Sequence, residues 1–110
     1  MRIQNTPATE LFGAQLPALC VAVQLAAGYP ELPGAYVVQS RIYPDQVDMQ
    51  IQNASDLLTW RQALRVDEAT VADSPIQQSD VLREWRTTVD GTSVRFYTIV
   101  SAAEAEAVPA

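Results

Sequence analysis

Two runs of alternating apolar and polar residues, joined by Asp90-Gly91, make Val81–Val100 the most legible stretch of this sequence. Asp-Gly suits a two-residue hairpin turn, because glycine takes positive φ freely and aspartate does so more readily than most residues. Folding the strands about that turn sets Trp85 opposite Phe96, Val81 opposite Val100 and Thr87 opposite Val94 on one face. The other face pairs Arg86 with Arg95, Glu84 with Tyr97 and Leu82 with Ile99. A slip of one residue separates the aromatic pair, so the pattern itself selects this register.

Ala35–Gln52 predicts a second hairpin around Tyr43-Pro44-Asp45-Gln46, with Pro44 in the second position of a type I turn. That hairpin sets Ile42 opposite Val47, Ser40 opposite Met49 and Val38 opposite Ile51, with Arg41 meeting Asp48 on the reverse face. Val47, Met49 and Ile51 alternate with Asp48, Gln50 and Gln52, as in a strand wetted on one side. Helical signals fall elsewhere. Pro17 to Ala27 reads as a first helix, with proline in its first turn and Gly28 as its stop, and Glu10–Gln15 as a preceding turn. Leu16, Leu19, Cys20, Val23 and Ala27 are its expected core stripe, which turns Val21, Ala22 and Leu25 outward. A second helix is expected over Ser55–Leu64, capped by Asn53 or Ser55 and buried along Leu57, Trp60 and Leu64.

Ala69–Ala72 fits a short edge strand and Asp73–Asp80 a loop, while Ser101–Ala110 reads as a helical turn or a frayed tail. Met1–Thr9 reads as a loose arm. The pattern therefore predicts one α+β domain over residues 1–110. Its sheet is an antiparallel meander of four to five strands, built from two β-hairpins, with two helices packed on one face.

Composition narrows the chemistry. With 110 residues, 48% of them hydrophobic and 18% charged, the chain can bury a core without metal or disulfide. It has seven arginines, no lysine, no histidine and a net charge of −6, a balance that argues against a general nucleic-acid or membrane-surface binder. Lack of histidine removes the commonest general base and the usual zinc ligand. No catalytic residue, cofactor or metal site is expected. Cys20, the single cysteine, sits in the most apolar helix without basic neighbours and is expected to act as a small buried hydrophobe. Pro17–Ala27 is too short to span a bilayer, and Glu10, Gln15 and Gln24 in or beside it do not suit a secretory core. A cytoplasmic protein without a membrane partner is the resulting expectation.

Three surfaces then compete for function. The first helix has only Gln24 as a polar side chain between Pro17 and Ala27. Its outward residues Val21 and Leu25, extended by Tyr29 and Leu32, are expected to meet a protein partner or a second copy of the chain. The acidic run of Asp67, Glu68, Asp73 and Asp80 reads as a solvated loop or as a dock for a basic partner. On the last hairpin, Arg86 and Arg95 are directly opposed beside Tyr97 and need an offsetting carboxylate such as Glu84, or a bound anion. A non-enzymatic interaction or accessory module is the leading expectation. Nucleic-acid or anion binding through Arg86, Arg95 and Tyr97 is the alternative. A small carboxylate-based enzyme, with a pocket lined by Asp48, Glu84 or Tyr97, is the least favoured.

The run Leu16-Pro17-Ala18-Leu19, then Tyr29-Pro30 with Leu32-Pro33-Gly34-Ala35-Tyr36-Val37, and later Trp60-Arg61-Gln62-Ala63-Leu64, resembles small orphan proteins of actinobacteria and of their phages and integrated elements. The resemblance covers the first two-thirds of the chain. It implies a cytoplasmic accessory protein from a high-GC genome, of mobile-element origin. Its motifs are structural, so it carries over no active-site residue.

Overall fold

The computed structural model describes residues 10–110; the arm expected over Met1–Thr9 lies outside them. A 3-10 turn (Phe12–Gln15) leads into α1 (Leu16–Gly28), followed by β1 (Tyr36–Val38), β2 (Gln46–Gln50) and α2 (Ala54–Ala63). After a 3-10 turn at Glu68–Thr70 come β3 (Ala72–Pro75), β4 (Asp80–Val89), β5 (Thr92–Ser101) and α3 (Ala102–Ala107).

The β4–β5 hairpin forms in the register that its sequence selects, from Asp80 opposite Ser101 to Val89 opposite Thr92. Asp90 (φ 48°) and Gly91 (φ 80°) both take the left-handed conformation that a tight hairpin turn requires. Trp85 stacks on Phe96 with ring centroids 4.3 Å apart, and both are buried.

The sheet as a whole is not a pure meander. Its five strands run β1-β2-β5-β4-β3, and β2 lies parallel to β5, with Val47 opposite Val94 and Met49 opposite Phe96. The order has a simple cause. β5 buries Thr92, Val94, Phe96, Thr98 and Val100 on one face, so it is the strand that gains most from a central position between two neighbours.

The first hairpin also differs from expectation. The Tyr43–Gln46 turn is present, with Gln46 N–H donating to the Tyr43 carbonyl at 3.1 Å. The pairing, however, sets Val38 opposite Asp48 and Tyr36 opposite Gln50, rather than Val38 opposite Ile51. Residues 39–45 form a loop instead of strand. Gln39 organises it: its side-chain Nε2 lies 3.1–3.3 Å from the carbonyl oxygens of Ser40, Tyr43, Pro44 and Gln46. One amide side chain thus competes with ladder pairing for the loop's backbone acceptors.

Both long helices cover the same face. Asn53 caps α2 by accepting from Asp56 N–H at 2.8 Å, and α2 buries Ala54, Leu57 and Trp60. The helix α1 presents Ala18, Val21 and Leu25 to the core, which reverses the expected faces. Leu16 and Val23 are 59% and 68% exposed, and Cys20 is exposed rather than buried. An almost uniformly apolar helix does not choose its buried side by pattern alone. Gln24 was the available marker, since it stands four residues after Cys20 and three before Ala27, on the wet side.

The edge strand near Ala69–Ala72 is shifted to Ala72–Pro75, inside the stretch read as loop, with the 3-10 turn before it. At the C-terminus, Ser101 caps α3 by accepting from Glu104 N–H at 3.1 Å. This segment is docked rather than frayed. Glu104 accepts from Ala54 N–H at 2.9 Å, and the buried Arg83 donates to the Ala105 and Val108 carbonyls at 2.9 and 2.6 Å.

Candidate interaction edge

Strand β1 is one margin of the sheet, and its three residues Tyr36, Val37 and Val38 are 77%, 50% and 50% exposed. They carry no charge and no proline. Such a margin leaves backbone donors and acceptors free to pair with another strand. Between β1 and α1 runs a groove of about 250 Å³. Ala22, Ala26 and Tyr29 form its α1 side, Ala35 and Val37 its β1 side, and the buried Met49 and Trp60 its floor. Among the described residues, no charged one lines it.

Local chemistry holds this groove open. Trp60 Nε1 donates to the Pro33 carbonyl at 2.8 Å, which pins the Pro30–Gly34 connector to α2. Tyr29 packs on Trp60 with centroids 5.9 Å apart, and Leu32 lies partly buried against the core. Small Ala22 and Ala26 on the α1 side leave the space that larger side chains would fill.

Of the four residues expected to meet a partner, the fold brings Tyr29 and Leu32 into this groove. Val21 and Leu25, at 2% and 4% exposure, are core residues and cannot touch a partner. Ala22, expected to face outward, does line the groove; its lining residues without such an expectation include Ala26, Val37 and Met49. A usable signal existed in Tyr36-Val37-Val38, three strand formers between Gly34 and Gln39 with no guarding charge.

The opposite margin is built differently. Strand β3 ends in Pro75, which has no N–H to offer. Asp73 holds Arg83 in a two-point ion pair at 2.8 and 2.9 Å. That pairing outweighs burial and raises the Arg83 pKa above its usual value. Asp67 accepts from Ala69 N–H at 2.9 Å in the 3-10 turn that Glu68 begins, and Asp80 starts β4. Two of the four acids in the run therefore have local structural partners.

Arg86, Arg95 and Tyr97 share the sheet face away from α1 and α2. Arg95 Nε donates to Glu84 at 3.0 Å, its NH1 lies 3.9 Å from Asp48, and its guanidinium sits 4.3 Å over the Tyr97 ring. Burial alone lowers the Arg95 pKa; the bond to Glu84 and the nearby charges more than offset it, so the net shift is upward. Glu84 is thus the offsetting carboxylate, and Asp48 meets Arg95 instead of Arg41. Arg86, with its side chain 53% exposed, lies 4.0 Å from Glu84. Asp48, Glu84 and Tyr97 accordingly surround one guanidinium.

Among the described residues no group of three or more His, Cys, Asp or Glu side chains is placed to hold a metal ion, and no helix is long and apolar enough to cross a membrane. No protein-family model matches the chain, and no curated protein matches it at a significant level.

Proposed function

We propose that this protein is a non-enzymatic interaction module that binds a protein surface along strand β1. The partner adds backbone to the β1 edge and inserts apolar side chains into the groove floored by Met49 and Trp60. Strand addition draws its affinity from main-chain hydrogen bonds and its selectivity from side-chain pockets beside the edge. The observation that carries this reading is an exposed edge strand without charge or proline, directly beside a groove that no charged side chain lines among the described residues. The alternative of anion or nucleic-acid binding asks for free guanidinium groups, and Arg95 already spends its own on Glu84 and Asp48.

The test compares nuclease-treated pull-downs from an actinobacterial lysate with wild type, Val37→Lys and Ala26→Trp. Val37→Lys puts a charge on the edge, and Ala26→Trp fills the groove. Each should cut retention of any specific protein by about tenfold or more, the effect of losing a central contact. Equal retention by all three proteins would remove β1 from the function.

A further inference from the structure

Resting on that reading, we infer that the partner at the β1 edge is a second copy of this chain, paired antiparallel across a two-fold axis at Val37. Three observations point to this occupant. The first is charge. Residues 11–43 hold one acid, Glu31, and one base, Arg41, so the other twelve acids and six arginines carry the whole net charge of −6 elsewhere. Two acidic copies repel wherever that surplus meets itself, and an approach through residues 11–43 brings together segments that carry no net charge.

The second observation is self-complementarity. An isologous interface must match its own surface. About Val37, the two-fold pairs Val37 with the partner's Val37, and Tyr36 with the partner's Val38. All of these are apolar or aromatic cross-strand pairs, and none sets like charges face to face. The axis stands perpendicular to the sheet, so both helical layers lie on one face. Val37 projects to the same face as its ladder neighbour Met49, which brings the two grooves together across the axis.

The third observation is area. Tyr29, Tyr36 and Tyr43 are 37%, 77% and 61% exposed. Together they present on the order of 300–400 Å² of aromatic side chain. That is about half of what one partner contributes to a stable interface. Val37, Val38 and Ile42, at 50%, 50% and 67% exposure, add to it.

Sedimentation velocity on the full chain tests the pairing, using Val37→Lys and Val37→Glu. Each variant sets like charges opposite each other, about 5 Å apart at Cβ. Wild type should be dimeric at about 100 µM, and each variant alone should dimerise at least tenfold more weakly. An equimolar mixture should recover the wild-type association, because Lys then faces Glu; recovery also proves that both variants are folded. Absence of recovery, or a dimer indifferent to both substitutions, overturns pairing at Val37. A wild-type monomer overturns it as well. The wider reading survives a monomer if the pull-down still finds a protein lost with Val37→Lys, and falls if it does not.

Discussion

At the β3 margin the sheet ends in Pro75 and in Asp73 locked to the buried Arg83, while at the β1 margin it ends in Tyr36-Val37-Val38, uncharged itself, with Asp48 across the ladder from Val38. The two edges belong to one sheet and face the same solvent. Folded proteins blunt exposed edges because free backbone groups recruit other strands. Among the described residues, the β3 edge carries a proline and a paired charge, whereas the β1 edge has only its three-residue length. The contrast extends beyond the strands. Among the described residues, ten of the twelve exposed large hydrophobic side chains fall between Leu11 and Tyr43. Ten of the thirteen buried hydrophobic residues, alanines included, lie from Val47 onward. The C-terminal part spends its apolar residues on its own core, and the N-terminal part leaves most of its own on the surface.

Substitutions at the two margins should differ in the size of their effects. The largest is the charge swap at Val37, which should change association by at least tenfold without unfolding the protein. Next comes the guarded edge. Asp73→Ala leaves Arg83, 5% exposed, without its carboxylate, and should lower unfolding stability by about 2–3 kcal/mol in urea titration. A loss below about 0.5 kcal/mol, the range of an ordinary surface change, would make Asp73 a mere surface charge.

Filling the groove is smaller in effect. Ala26→Trp covers Met49 and Trp60 and should raise the unfolding midpoint by the equivalent of up to about 1 kcal/mol while weakening association. Val37→Lys, by contrast, should shift monomer stability by less than about 0.5 kcal/mol, because Val37 is half exposed and outside the core. If its cost approached that of Asp73→Ala, the β1 edge would be serving the fold rather than a partner. Last is Cys20 on the outer side of α1. In native buffer it should react with a maleimide at a rate close to that of an unstructured thiol. Protection by more than about tenfold would return that side of the helix to an apolar contact.

Legibility followed the range of the interactions. The β4–β5 register could be read because Asp90-Gly91, Trp85 and Phe96 lie within one short stretch, and each excludes a slip. The α2 cap and stripe were equally local. The face of α1 was not, since an apolar helix with a single polar marker at Gln24 is turned by what packs against it. Val21 and Leu25 therefore moved from expected surface to core, and Cys20 moved the other way. Half of the expected contact set, Tyr29 and Leu32, does border the groove, because the connector after α1 must cross to β1 whichever way the helix is rolled.

The chain alone was enough for the closing hairpin, the two long helices, the one-sided layering and the net neutrality of residues 11–43. Each depends on periodicity, turn chemistry or composition, which act over a few residues or over none. Long-range packing made β5 central and parallel to β2, turned Val21 of α1 inward, and left β1 as an exposed edge beside a groove. Those outcomes depend on which apolar faces meet across long stretches of chain. That choice is made by the total area buried and by competing backbone partners such as the Gln39 amide, and no local pattern records it.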